Sequence, residues 1–137
     1  MATAAVLAWM RLARVYHKVD RASAAHLRRR GLSVAQLDVL ARVGARPGMT
    51  QGELAEALLV TKGNVCQLLD RMEAEGLLQR RREGRSKRLH LTPRGAALAA
   101  EVVPAQERVV DGLFGVLDPA AQRELLGLLR RLDRRVR

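Results

Sequence analysis

Between Thr61 and Glu75 two kinds of side chain alternate at helical spacing. Val65, Leu68, Leu69 and Met72 recur at intervals that put them on one face of a helix, and that face must be buried. The remaining surface, richest at the helix start, carries Lys62, Gly63, Asn64, Gln67 and Asp70, with Arg71 next in sequence. Such residues can read the edges of bases. Asn and Gln pair bidentately with adenine, Lys pairs with guanine, and short polar side chains near a helix N-terminus fit a major groove. An ordinary solvated helix face has the same composition, so this stretch alone does not decide between the two readings.

The residues just before it sharpen the picture. Thr50-Gln51-Gly52-Glu53 has the form of a capping box opening a short helix through Leu58, and Thr61 can cap the helix that follows. A short helix, a brief turn and a second capped helix make a helix-turn-helix. After Gly76 the pattern changes again. Leu77 to Arg82 and Arg88 to Leu91 read as two short strands around Glu83-Gly84-Arg85-Ser86-Lys87, a β-hairpin with a charged, glycine-containing tip. From Leu77 to Gly95 there are seven basic residues, Arg80, Arg81, Arg82, Arg85, Lys87, Arg88 and Arg94, against one acid, Glu83. A basic hairpin directly after a recognition helix can follow the phosphate backbone and insert a tip arginine into a narrow minor groove.

These parts need elements to position them. An opening helix is expected from Thr3 to Arg29, stopped by Gly31. Ser33 with Gln36 forms a capping box for a second helix to Ala45, and Arg46-Pro47-Gly48 is a turn. Thr92-Pro93 and Asp118-Pro119 each supply an N-cap and an N1 proline for two closing helices, the first bent at Pro104. Leu125, Leu128, Leu129, Leu132 and Val136 form one stripe on the last helix, and Val6, Met10 and Ala13 form another on the first. An apolar stripe left in water is unstable, so these ends are expected to pack on a second copy of the chain. The expected architecture is mainly α. Residues 1–137 form a single domain, with a winged helix-turn-helix lobe over 33–91 and dimerisation helices over 3–29 and 93–136.

Composition agrees with a nucleic-acid partner. The 137 residues carry 25 Lys+Arg against 14 Asp+Glu, a formal charge of +11. Three aromatics, Trp9, Tyr16 and Phe114, are too few for a base-stacking platform, which favours duplex over single strands. No apolar run reaches the ~18 residues of a membrane span. Met1 to Val6 lacks the features of a signal peptide, and a lone Cys66 fits a reducing compartment, so the chain reads as cytoplasmic. The sequence holds no G-x-S-x-G, Walker, G-x-G-x-x-G or H-E-x-x-H pattern, and neither enzyme chemistry nor a cofactor is expected. A sequence-indifferent nucleoid or RNA-binding protein remains the main alternative, and a protein–protein adaptor on the same scaffold is a third.

The run Leu68 to Arg80, then Glu83-Gly84-Arg85-Ser86-Lys87 and Leu91-Thr92-Pro93-Arg94-Gly95, resembles the multiple-antibiotic-resistance regulator (MarR) family, as does Gly31-Leu32-Ser33. The resemblance spans the chain. It implies a homodimer joined through the terminal helices, two winged lobes on a pseudo-palindromic duplex, and a small molecule, often a phenolic or aromatic acid, that weakens DNA binding. Arg85 stands at the family's wing-tip arginine. Glu83 replaces a usual Asp, and Gly84 a common charged residue, which implies a longer bracing ion pair at the tip. The expected DNA-binding residues are Thr50, Gln51, Thr61, Lys62, Gly63, Asn64, Gln67, Arg71, Arg85, Ser86, Lys87 and Arg88.

Other residues carry two readings each. Trp9 and Tyr16, seven apart on the first helix, are either dimer-core packing or, as the resemblance implies, walls of an effector pocket together with His17. Cys66 is either a small packed residue or a thiol activated by a helix N-terminus and Lys62. His17, His26 and His90 lack the spacing of a helical zinc pair, so no metal site is expected.

Overall fold

A computed structural model describes residues 1–58 and 62–136, with the side chains of Lys62 and Gly63 excepted. The element order is α1 (Ala4–Arg28), α2 (Val34–Ala45), α3 (Gln51–Leu58), α4 (Lys62–Ala74), β1 (Leu78–Glu83), β2 (Ser86–Leu91), α5 (Pro93–Phe114) and α6 (Pro119–Arg135). The caps read from sequence set most of these boundaries. Ser33 Oγ accepts from Gln36 N–H at 3.1 Å, and Gln36 Oε1 accepts from Ser33 N–H at 3.0 Å. Thr3, Thr92 and Asp118 each accept a backbone N–H three residues on. Thr61, expected to cap α4, lies outside the described residues. Pro104 sits inside α5, which continues as one helix to Phe114.

Two helices end on glycines in the left-handed region. Gly31 has φ 68°, and Leu32 N–H returns to Leu27 O at 3.1 Å. Gly76 has φ 75°, and Leu77 N–H returns to Met72 O at 3.0 Å. Both are Schellman-type stops, a geometry that glycine adopts without strain.

The core belongs to the lobe. Leu37, Val39, Leu40 and Val43 of α2, Leu54 of α3, Val65, Leu69 and Met72 of α4, and Leu78 and Leu89 of the hairpin are buried together. Leu27 at the end of α1 and Val102 of α5 close it from outside. The two-stranded hairpin also takes an isolated bridge on its β2 side. Leu89 N–H donates to Met49 O at 2.8 Å, Gly48 N–H donates to Leu89 O at 2.9 Å, and Thr50 bridges Arg88. The segment before α3 therefore lies along β2 and ties the entry of the helix-turn-helix to the hairpin.

Gly95 fixes where α5 leaves the lobe. A Cβ there would stand 1.9 Å from Leu77 O, so only glycine fits. Thr92 closes the junction, its hydroxyl donating to Gly76 O at 2.6 Å and its N–H to Leu77 O at 3.1 Å. Farther along, α5 is tied to α1 by a polar relay. Gln106 Nε2 donates to the buried Ser23 Oγ at 2.7 Å, and Ser23 donates to Val19 O at 2.8 Å. That leaves Gln106 Oε1 to accept from His26 Nε2 at 2.9 Å, which assigns the imidazole proton to Nε2.

The chain ends behave differently. No residue of α6 is buried, and Leu128 and Leu132 are 51% and 52% exposed. On α1, Leu7, Trp9, Met10 and Tyr16 are likewise open to solvent. Among the described residues no helix is long and apolar enough to cross a membrane.

Candidate nucleic-acid interface

The start of α3 is held by a reciprocal cap. Thr50 Oγ1 accepts from Glu53 N–H at 3.1 Å, and Glu53 Oε1 accepts from Thr50 N–H at 3.2 Å. Arg46 Nη2 adds an ion pair to Glu53 Oε2 at 2.7 Å. The backbone and hydroxyl of Thr50, and then the Arg46 and Arg88 charges, hold the Glu53 carboxyl below its ordinary range. Gln51 Nε2 donates to Cys66 Sγ, so the first residue of α3 is strutted against α4. Thr50, Gln51 and Cys66 are all half-buried, Thr50 engaged by Glu53 and Gln51 by Cys66.

Helix α4 divides its faces as its spacing predicts. Val65, Leu69 and Met72 are fully buried, and Leu68 packs partly on the same core. Asn64, Gln67, Asp70 and Arg71 are exposed. Arg71 Nε pairs with Glu75 Oε1 at 3.2 Å, one turn on. Lys62 and Gly63 are the first two residues of α4, and Thr61 is outside the described residues.

The hairpin pairs Leu78 with Leu91 through to Glu83 with Ser86, which leaves only Gly84 and Arg85 in the turn. Sequence reading placed five residues there. The shorter turn is available because Gly84 takes φ 66°, the positive value that two-residue hairpin turns require. Arg85 stands at the apex, exposed, with no ion-pair partner among the described residues. Ser86 is half-buried and Lys87 exposed. Arg88 Nη1 donates to Gly48 O at 2.9 Å, and its Nε lies 3.7 Å from Glu83 Oε2. His90 Nε2 meets Glu83 Oε1 at 3.1 Å. The acid beside the tip therefore braces Arg88 and His90 rather than Arg85.

One residue missed by sequence reading organises the interface. Arg80, counted there only among the basic residues of the hairpin, has its side chain 16% exposed. Its guanidinium pairs with Asp70 and, at 3.3 Å, with Glu73 Oε1, while its N–H donates to Glu73 Oε2 at 3.0 Å. The hairpin is thereby fastened to α4. The signal was present in Asp70 and Glu73, three apart on one helix face, followed by an arginine just past the helix end. With Arg80 neutralised, the exposed cations of the hairpin are Arg81, Arg82, Arg85 and Lys87, and Arg81 leans on Gln79 Oε1 at 3.2 Å.

The proposed effector residues lie elsewhere. Trp9 and Tyr16 are 66% and 65% exposed on α1, and the ring of His17 meets that of Tyr16 edge-on at 6.0 Å between centroids. They do not enclose a cavity within one protomer. A cleft of about 680 Å³ instead opens where α4 ends against α5, walled by Leu32, Leu77, Leu98 and Arg94. The Arg30–Glu101 ion pair lies at the same cleft. Among the described residues no three His, Cys, Asp or Glu side chains gather as a metal site.

The sequence model of one family, described as the MarR family, matches residues 30–89. An HTH-type transcriptional regulator of Bacillus cereus is 33% identical over 129 residues, 93% of this chain and 88% of its own. Among solved structures, a MarR family protein of Mycobacterium tuberculosis in complex with salicylic acid is 27% identical. That match covers 96% of this chain and 97% of the other, with a TM-score of 0.73. BpsR of Bordetella bronchiseptica, whose DNA binding is regulated by 6-hydroxynicotinic acid, is 25% identical over 93% of this chain and 98% of its own, with a TM-score of 0.84.

Proposed function

Because the chain belongs to the MarR family of transcriptional regulators, we propose that it acts as a homodimeric repressor that reads duplex DNA and is released by a small aromatic acid. The observation that carries this reading is the Arg80 clamp, which fastens the basic wing to the helix that bears the polar surface. Asn64 and Gln67 would reach base edges, and Thr61, Lys62 and Gly63 would meet the duplex beside them. Arg71 would meet a phosphate, as would Lys87 and Arg88 with the Ser86 hydroxyl beside them. Arg85, exposed at the apex, would enter the adjoining minor groove. Thr50 and Gln51, engaged by Glu53 and Cys66, would contribute through the placement of α3.

A second copy of the chain is the natural cover for the exposed faces of α1 and α6. Pairing them would set two recognition helices one duplex turn of ~34 Å apart. The effector half of the reading rests on two solved relatives, one in complex with salicylic acid and one whose DNA binding is regulated by 6-hydroxynicotinic acid. In this chain Trp9, Tyr16 and His17 would line such a site only with the partner's help.

The deciding experiment measures affinity for the DNA upstream of the chain's own gene against random duplex and duplex RNA of equal length. A specific regulator prefers the first by at least ~10³-fold. Gln67→Ala or Asn64→Ala should then cost ~1–3 kcal/mol on the specific site and little on random DNA. Equal affinities throughout would return the chain to the sequence-indifferent reading, and no shift with any nucleic acid would make it an adaptor. Quenching of its single tryptophan, Trp9, by salicylate tests the effector half.

A further inference from the structure

The two faces of the wing are not equivalent. Leu89 directs both its backbone groups to Gly48 and Met49, so the rung it forms with Arg80 is of the non-hydrogen-bonded kind. Rungs alternate, which makes Arg82 opposite Lys87 another of that kind, where facing side chains come closest. Two cations thus stand directly across from each other near the tip. Their face is the one that turns toward α4, because Arg80 shares it and reaches Asp70 and Glu73 there.

No acid relieves this pair. Asp70 and Glu73 are both taken up by Arg80, and Glu83, the single acid of the wing, lies on the opposite face with Arg88 and His90. Among the described residues neither Arg82 nor Lys87 has an ion-pair partner, and both are exposed. Like charges directly opposed across a sheet destabilise it, so this rung weakens the free wing. By contrast, the Arg81–Arg88 rung on the other face has Glu83 beside it and Gly48 O as an acceptor.

We propose that Arg82 and Lys87 form a two-pronged seat for one backbone phosphate of the duplex that α4 enters. The phosphodiester supplies the missing negative charge, with each cation taking one of its non-bridging oxygens. The proposal rests on the duplex reading above and adds Arg82 to the residues that touch DNA. It also couples binding to stability with opposite signs, which a merely solvated pair of cations would not do.

The test uses the full chain and a random-sequence duplex of about 30 base pairs, since a phosphate contact is indifferent to sequence. Arg82→Gln and Lys87→Gln should each raise Tm by roughly 1–3 °C in low-salt buffer, because the repulsion is gone. Each should also bind about tenfold more weakly, as loss of one charge-assisted hydrogen bond implies. Lys87→Glu, which pairs with Arg82, should raise Tm further and lower the slope of log K against log[salt] by about 0.9. Arg85→Gln serves as the control that weakens binding without raising Tm. The seat is overturned if the Arg82 and Lys87 variants bind as the parent does while Arg85→Gln binds less. It is equally overturned if removing either rung charge lowers Tm. Should Arg85→Gln also leave binding unchanged, the duplex reading itself fails and the seat fails with it.

Discussion

The lobe and the terminal helices solve the same problem in opposite ways. In the lobe nearly every apolar side chain that the helical spacing aims inward finds a partner from the same chain, and Leu69, Met72 and Leu89 are fully buried. In α6 an apolar stripe of comparable quality buries none of its members. The lobe is therefore a closed body with its core covered by its own elements. The ends leave their apolar surface exposed within one protomer. Intrinsic helix quality does not distinguish the two, since both regions are well capped; closure of the core does.

The sharpest way to break this division is at its joint. Gly95→Ala places a methyl group against Leu77 O, so the lobe and α5 must part. It should cost on the order of 4 kcal/mol, read as a lowered denaturant midpoint. Next come matched truncations. Leu69→Ala should cost roughly 3 kcal/mol at every protein concentration. Leu128→Ala with Leu132→Ala should instead act on assembly, turning a dimer into a monomer in equilibrium sedimentation while the lobe stays folded. If the α6 pair destabilises a dilute protomer as much as Leu69→Ala does, the contrast between the regions is wrong.

A smaller effect is expected at the relay between α1 and α5. Ser23→Ala removes the acceptor of Gln106 Nε2 and should cost about 1–2 kcal/mol, seen as faster amide exchange along α1. The smallest depends on pH. Glu53 is held below the ordinary value of 4.5 chiefly by Thr50, so its contribution is present above that pH and fades as pH falls through the folded value. Melting temperatures of the parent and Glu53→Gln should therefore differ at neutral pH and converge as the carboxylate is protonated. A constant gap across that range would mean that the charge is not what holds the cap.

Much of this was written locally in the chain. Ser33 with Gln36, Thr50 with Glu53, Thr92 with Pro93 and Asp118 with Pro119 announce helix starts within four residues, and each makes its cap. The two faces of α4 follow from spacing alone. What escaped the sequence depends on distant partners. Nothing near Gly48 says that it will lie against Leu89, and nothing near Gln51 says that its amide will meet Cys66. The turn length was misjudged because a polar run of five reads as loop, whereas cross-strand pairing extends through Glu83 and Ser86. The wing charges were legible as a sum but not as individuals. Register and a helix partner turned Arg80 into a clamp and left Arg82 facing Lys87.

The close approach of Gly95 to Leu77 O also makes the lobe a lever. The hairpin springs from the same point at Leu78 and runs six residues to its tip, an arm of roughly 20 Å at about 3.3 Å per residue. A turn of about 10° at this fulcrum sweeps Arg85 through roughly 3.5 Å, more than the spread of distances a hydrogen bond tolerates. The gearing runs from a contact with no room for a single methyl group to an arginine in open solvent, so the position of the tip follows fractions of an ångström at the base.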